Sequence, residues 1–101
     1  MTSDATRAIH RFIRVEVADL EDFLSVHRKT REAHQELGLS EALYQSTDNP
    51  NELTLILAGS ENDIQAWLNG ADRIRLAAEV EFVGEPSAWD TTEMFPMGIY
   101  E

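Results

Sequence analysis

Between Ile9 and Val17 the apolar side chains fall on alternate positions (Ile9, Ile13, Val15, Val17), and His10, Arg14 and Glu16 take the other parity with Phe12. That period predicts a strand with one face in the core. Asp19 stands where a helix N-cap is needed, Glu21 and Asp22 put negative charge into the first turn, and Gly38 supplies a left-handed stop, so a helix is expected from about Leu20 to Leu37. Its apolar stripe holds Leu20, Phe23, Leu24 and Leu37, but turns polar in the middle at His27, Thr30 or Arg31, and His34. Residues 41–46 and 52–58 flank Thr47-Asp48-Asn49-Pro50-Asn51, a turn-forming run that predicts a hairpin. Its second arm, Leu53 to Ala58, is apolar on both parities except at Thr54, the pattern of a strand covered on both faces. Ser60 then caps a second helix with Ile64, Trp67 and Leu68 inward and Gly70 at its end. Asp72 can cap a shorter helix through about Ala78, and Gly84-Glu85-Pro86 breaks the chain before an extended segment from Ser87 to Phe95.

The order β, α, β, β, α, β describes an α+β chain of the ferredoxin-like type: a four-stranded antiparallel sheet with its helices on one face. Residues 1–8 are expected to be a disordered N-terminus, 9–95 a single domain, and 96–101 a tail that could cover a pocket or swap between subunits. A sheet with one bare face and a central strand apolar on both sides needs a second cover. The expectation is a homodimer with sheets face to face.

Composition narrows the partners. The 101 residues carry 8 Lys+Arg against 19 Asp+Glu, a formal charge of −11. Such a balance opposes phosphate backbones and anionic lipid surfaces, so neither nucleic acid nor membrane is an expected partner. No apolar stretch approaches the roughly 20 residues that span a bilayer, and the first residues hold no apolar signal core. A cytoplasmic protein is the expectation. With no cysteine there is neither a disulfide nor a thiol nucleophile; Gly-x-Ser-x-Gly and Gly-rich phosphate loops are absent too.

Several segments together resemble the dimeric α+β barrel superfamily, and within it the small antibiotic-biosynthesis monooxygenase-like and polyketide cyclase-like proteins. The resemblance rests on Val15-Glu16-Val17-Ala18-Asp19 followed by Phe23, Gly38-Leu39, Asp48-Asn49-Pro50-Asn51-Glu52, and Val83-Gly84-Glu85-Pro86, and it spans roughly residues 10–95. These residues mark turns and packing rather than a catalytic signature. The resemblance implies a pocket between helices and sheet in each subunit, and chemistry on aromatic or polyketide-like molecules without metal or organic cofactor.

Within that frame His27 and His34 are the candidate catalytic residues, because imidazoles on the sheet-facing stripe of a helix can work as acid and base near neutral pH. Arg31 on the same stripe could orient a ligand anion. Seven residues separate the two histidines, about 10.5 Å along a continuous helix axis, too far for one metal ion, so no metal site is expected. The remaining substrate-binding candidates are Phe23, Tyr44, Trp67 and Asp90, with Asp90 a possible acid-base partner of His27. The expected function is a cofactor-independent enzyme of secondary metabolism. It would bind a hydrophobic small molecule and drive cyclisation, dehydration or isomerisation by proton transfer. The alternatives are oxygenation of a phenol and a non-catalytic binding or assembly dimer.

Overall fold

Strand β1 (Ala8–Glu16) lies at the middle of a sheet whose order is β2-β3-β1-β4, where β2 is Ser40–Gln45, β3 Glu52–Ser60 and β4 Ser87–Thr91, with every pair antiparallel. The computed structural model describes residues 8–92. Ala8, expected to end a disordered start, instead begins β1; the rest of that start and the tail at 96–101 lie outside the described residues, as does the end of the extended segment expected to reach Phe95. Four helices complete the chain: α1 (Leu20–Arg28), α2 (Arg31–Glu36), α3 (Glu61–Leu68) and α4 (Ala71–Ala77). They cover one face of the sheet, which is the ferredoxin-like α+β arrangement.

Register decides which side chains meet the helices. Ile9 pairs with Gly59, Arg11 with Leu57, Ile13 with Leu55 and Val15 with Leu53, and these pairs face the helices because paired residues share a face. Ile9, Leu57, Ile64, Leu39 and Trp67 form the buried core between sheet and helices. Gly59 lies close under Leu39: a Cβ there would stand 2.6 Å from Leu39 Cδ2, so that side chain would have to move. Gly38, at φ +73°, ends α2 in the left-handed region.

Two features depart from the sequence reading. The expected single helix from Leu20 to Leu37 is broken into α1 and α2 at Lys29–Thr30. There the Thr30 hydroxyl donates to the His27 carbonyl at 2.7 Å and the Lys29 and Thr30 amides fold back on Val26 and His27, so the turn tightens and the ladder stops. The short helix α4 starts from Gly70, with Asp72 in its first turn rather than at its cap. The other caps stand as read: Asp19 accepts from the Asp22 amide and Ser60 from the Asp63 amide. Past α4, Val17 and Phe82 form a bridge and Val83 donates to the Glu16 carbonyl, which lays residues 81–83 beside the end of β1.

Candidate functional site

Beneath the broken helix lies an apolar cavity of about 110 Å³. Ile13, Val15 and Leu55 form its sheet side, Phe23 and Val26 come from α1, and Trp67, Leu76 and Phe82 close it from the far side. The break at Thr30 brings the two imidazoles to this cavity. His27 and His34 lie with ring centroids 6.5 Å apart. Both also line a second, polar recess of about 450 Å³ with Arg28, Arg31, Gln35, Ser40 and Glu41.

The partner of the histidines is Glu41. Its pairing with Leu57 turns it toward the helices, and its two carboxylate oxygens reach one imidazole each: Oε2 lies 2.6 Å from His34 Nδ1 and Oε1 3.5 Å from His27 Nε2. His34 is only 2% exposed and meets the Trp67 ring edge-on at 4.4 Å, while His27 stacks on Phe23 at 5.5 Å. The approach of Glu41 to Nδ1 is close but off the line of a hydrogen bond, and His34 Nε2 is buried with no partner among the described residues. Burial pushes the His34 pKa below its ordinary 6.5; Glu41 opposes that and the His27 charge adds to it. We therefore assign neutral His34 at neutral pH. A carboxylate beside Nδ1 favours the proton on that nitrogen and leaves the Nε2 lone pair free.

This assignment fixes a sign. With the folded pKa lowered, the unfolded chain binds the proton more readily below about pH 6.5, so the stabilisation is fully present above that pH and is lost as pH falls through the folded value. Urea denaturation of wild type and His34→Phe between pH 7.5 and 5 should show a gap that moves against wild type on acidification. Parallel pH profiles would contradict a neutral buried imidazole.

The other residues singled out in the sequence separate. Phe23 and Trp67 line the apolar cavity, and Arg31 lines the polar recess with its side chain exposed. Tyr44 pairs with Thr54 on the opposite, helix-free face and is 56% exposed, so it does not reach the cavity. Asp90 faces the helix side but is held by the Arg11 guanidinium at 2.6 and 2.9 Å, which makes it an edge ion pair rather than a partner of His27. Sequence reasoning passed over Glu41 and also Arg73, which lines the apolar cavity from α4. Among the described residues no group of three or more His, Asp or Glu is placed to hold a metal ion, and no helix is long and apolar enough to cross a membrane.

No protein-family model and no curated protein matches the chain. Solved structures do. SnoaB from Streptomyces nogalater, a cofactor-independent oxygenase, superimposes in a mutant form with a TM-score of 0.75 at 15% identity, over 94% of this chain and 98% of that one. A candidate antibiotic biosynthesis monooxygenase from Caulobacter crescentus CB15 gives 0.78 at 13% identity, over 90% and 93%. A further antibiotic biosynthesis monooxygenase gives 0.71 at 11%, over 85% and 98%. At these identities the likeness is one of fold, and the fold is that of the antibiotic biosynthesis monooxygenase-like proteins.

Proposed function

We propose that the protein is a cofactor-independent enzyme in which His34, held by Glu41, takes a proton from a hydroxyaromatic molecule bound in the apolar cavity. The observation that carries this reading is His34 in the lining of that cavity with its buried Nε2 left without a hydrogen-bond partner. A polar atom kept without a partner in an apolar site costs about 1–3 kcal/mol, and a substrate hydroxyl is the group that would satisfy it. A base of depressed pKa stays unprotonated at neutral pH, and the apolar walls raise the reactivity of the anion it creates.

The fold shared with SnoaB supports oxygenation as the outcome. The deprotonated ring is electron-rich enough to reduce dioxygen itself: a ring carbon forms a C–O bond to give a hydroperoxide. Loss of water then leaves a carbonyl, so that the substrate gives up two hydrogens and takes one oxygen atom while the other leaves as water. The imidazole that took the proton returns it to the departing oxygen. A second reading, cyclisation or dehydration without oxygen, is favoured by the 6.5 Å spacing of His27 and His34, which sets an acid beside the base. An oxygen electrode run with a panel of monocyclic phenols and hydroquinols separates them. One dioxygen consumed per carbonyl formed is the expected result. Turnover without oxygen uptake transfers the reading to proton transfer alone, and binding without turnover makes the cavity a carrier site.

We also propose that the working unit is a homodimer joined through the helix-free face. Ala42, Ile56, Phe12 and Trp89 stand in register across all four strands of that face.

A further inference from the structure

The acid-rich composition makes the pairing of each cation informative. With 19 carboxylates to 8 basic residues, a carboxylate is available to every Lys and Arg. Among the described residues Arg11 is held by Asp90, Arg14 by Glu52, Lys29 by Glu79, and Arg75 by Asp72 and Glu79. The three with no such pair are Arg28, Arg31 and Arg73. All three line one of the two recesses that share His27 and His34.

Arg73 differs from the other two in its surroundings. Arg28 and Arg31 are exposed and share their recess with Glu41, whose charge offsets theirs. Arg73 is half-buried and borders the apolar cavity, whose lining contains no carboxylate. Two residues along α4, Arg75 has two acidic partners where Arg73 has none among the described residues, and in the neighbouring groove that Arg73 also borders the carboxylate of Asp90 is held by Arg11. A guanidinium at the rim of a low-dielectric cavity is a preformed site for a planar anion, which it can grip through two parallel hydrogen bonds. The long-range field of a chain of charge −11 repels anions, and such a local, weakly screened contact is what overcomes it.

The cavity's size limits the body attached to that anion. At about 110 Å³ it is on the scale of the roughly 150 Å³ apolar cavities that hold one benzene ring. We propose that the substrate is a monocyclic hydroxyaromatic acid, its ring between Trp67 and the sheet and its carboxylate on Arg73. This rests on the apolar cavity being the substrate site, as proposed above.

The test needs no knowledge of the natural substrate. Benzoate and benzamide have the same shape and differ in charge, and the two tryptophans give separate indole N–H signals in a nitrogen-proton NMR spectrum. Trp67 reports on the cavity. Trp89 lies on the rim of a neighbouring groove that Arg73 also borders, so a shift confined to it would place the ligand outside the cavity and overturn the proposal even if Arg73 holds it there. The expected result is that benzoate moves Trp67 and binds about tenfold more tightly than benzamide. Arg73→Gln should erase that preference, Arg73→Lys should keep part of it, and Arg75→Gln on the same helix should leave it unchanged. Equal binding of both probes to the wild type, or a preference that survives Arg73→Gln, overturns the assignment to Arg73 while leaving the cavity as a site. If neither probe moves Trp67, the cavity reading itself fails and this one with it.

Discussion

His34→Phe should abolish turnover and leave the protein at least as stable as wild type. Both nitrogens of His34 are buried without an aligned hydrogen bond, so the native state carries their desolvation with little return. A phenyl ring, one ring atom larger and with the cavity beside it to take the added volume, keeps the edge contact with Trp67, now 4.4 Å from the imidazole, and removes that cost, for a gain of about 1–2 kcal/mol. Glu41 loses one of its two imidazole partners in the variant and keeps His27. Its side chain is 22% exposed, so it can recover hydration through the polar recess and the net effect stays near zero or favourable. Removing a general base should lower kcat by about 100- to 10,000-fold. Urea denaturation and steady-state kinetics on the same preparation check both halves. A variant destabilised by several kcal/mol would make His34 a structural residue, and an active one would remove it from the chemistry. Glu41→Gln is the milder companion: it keeps the shape, loses the charge beside Nδ1, and should shift the pH dependence of kcat more than it lowers KM.

The parts of this molecule that were readable along the chain are those decided within a few residues. Asp19 and Ser60 cap helices by bonding amides three positions on, and Gly38 closes one by taking φ +73°, so each signal lies beside its effect. The break between α1 and α2 carries no Gly or Pro to announce it. It depends on the Thr30 hydroxyl turning back to the His27 carbonyl in a residue that is buried, a choice made by packing. The rings of His27 and His34 lie 6.5 Å apart, a distance that side-chain direction sets and that the rise along the helix axis alone does not give. Glu41 was unreadable as their partner because Ser-Glu-Ala-Leu-Tyr-Gln has no clear alternation of its own. Pairing of β2 with β3 decides which side of the sheet Glu41 and Tyr44 face, and it sends one to the site and the other to the opposite face. The surroundings of Asp90 were unreadable for the same kind of reason: β4 lies beside β1, where Arg11 and not His27 meets it.

Replacing Ile56 by Glu should split the dimer. An antiparallel sheet with helices on one side ordinarily turns polar side chains to solvent on the other, but here Ala42, Ile56, Phe12 and Trp89 form an unbroken row across that side. Trp89 and Tyr44 remain 45% and 56% exposed, and Phe12 and Trp89 stack at 5.5 Å into a flat apolar surface. Arg14 and Glu52, on the same face, neutralise each other and leave Glu16 at the end of β1 as a carboxylate beyond the apolar row, so in a chain of charge −11 the row itself is ground where a second copy meets little repulsion. Strand spacing of about 4.8 Å gives the row a length near 15 Å. Ile56 lies on β3 inside that row, so two copies of Ile56→Glu would bring like charges into a dry interface, a cost of several kcal/mol that outweighs the area buried. Light scattering after size exclusion should fall from twice 11.4 kDa to 11.4 kDa. A wild type that is monomeric at 100-micromolar order, or a variant that stays dimeric, would send the interface elsewhere. The experiment also separates assembly from chemistry. His27, His34, Glu41, Trp67 and Arg73 all come from one chain and from the helix-covered side, so a folded monomer should keep its Trp67 response to benzoate even as it loses the partner that shields its other face.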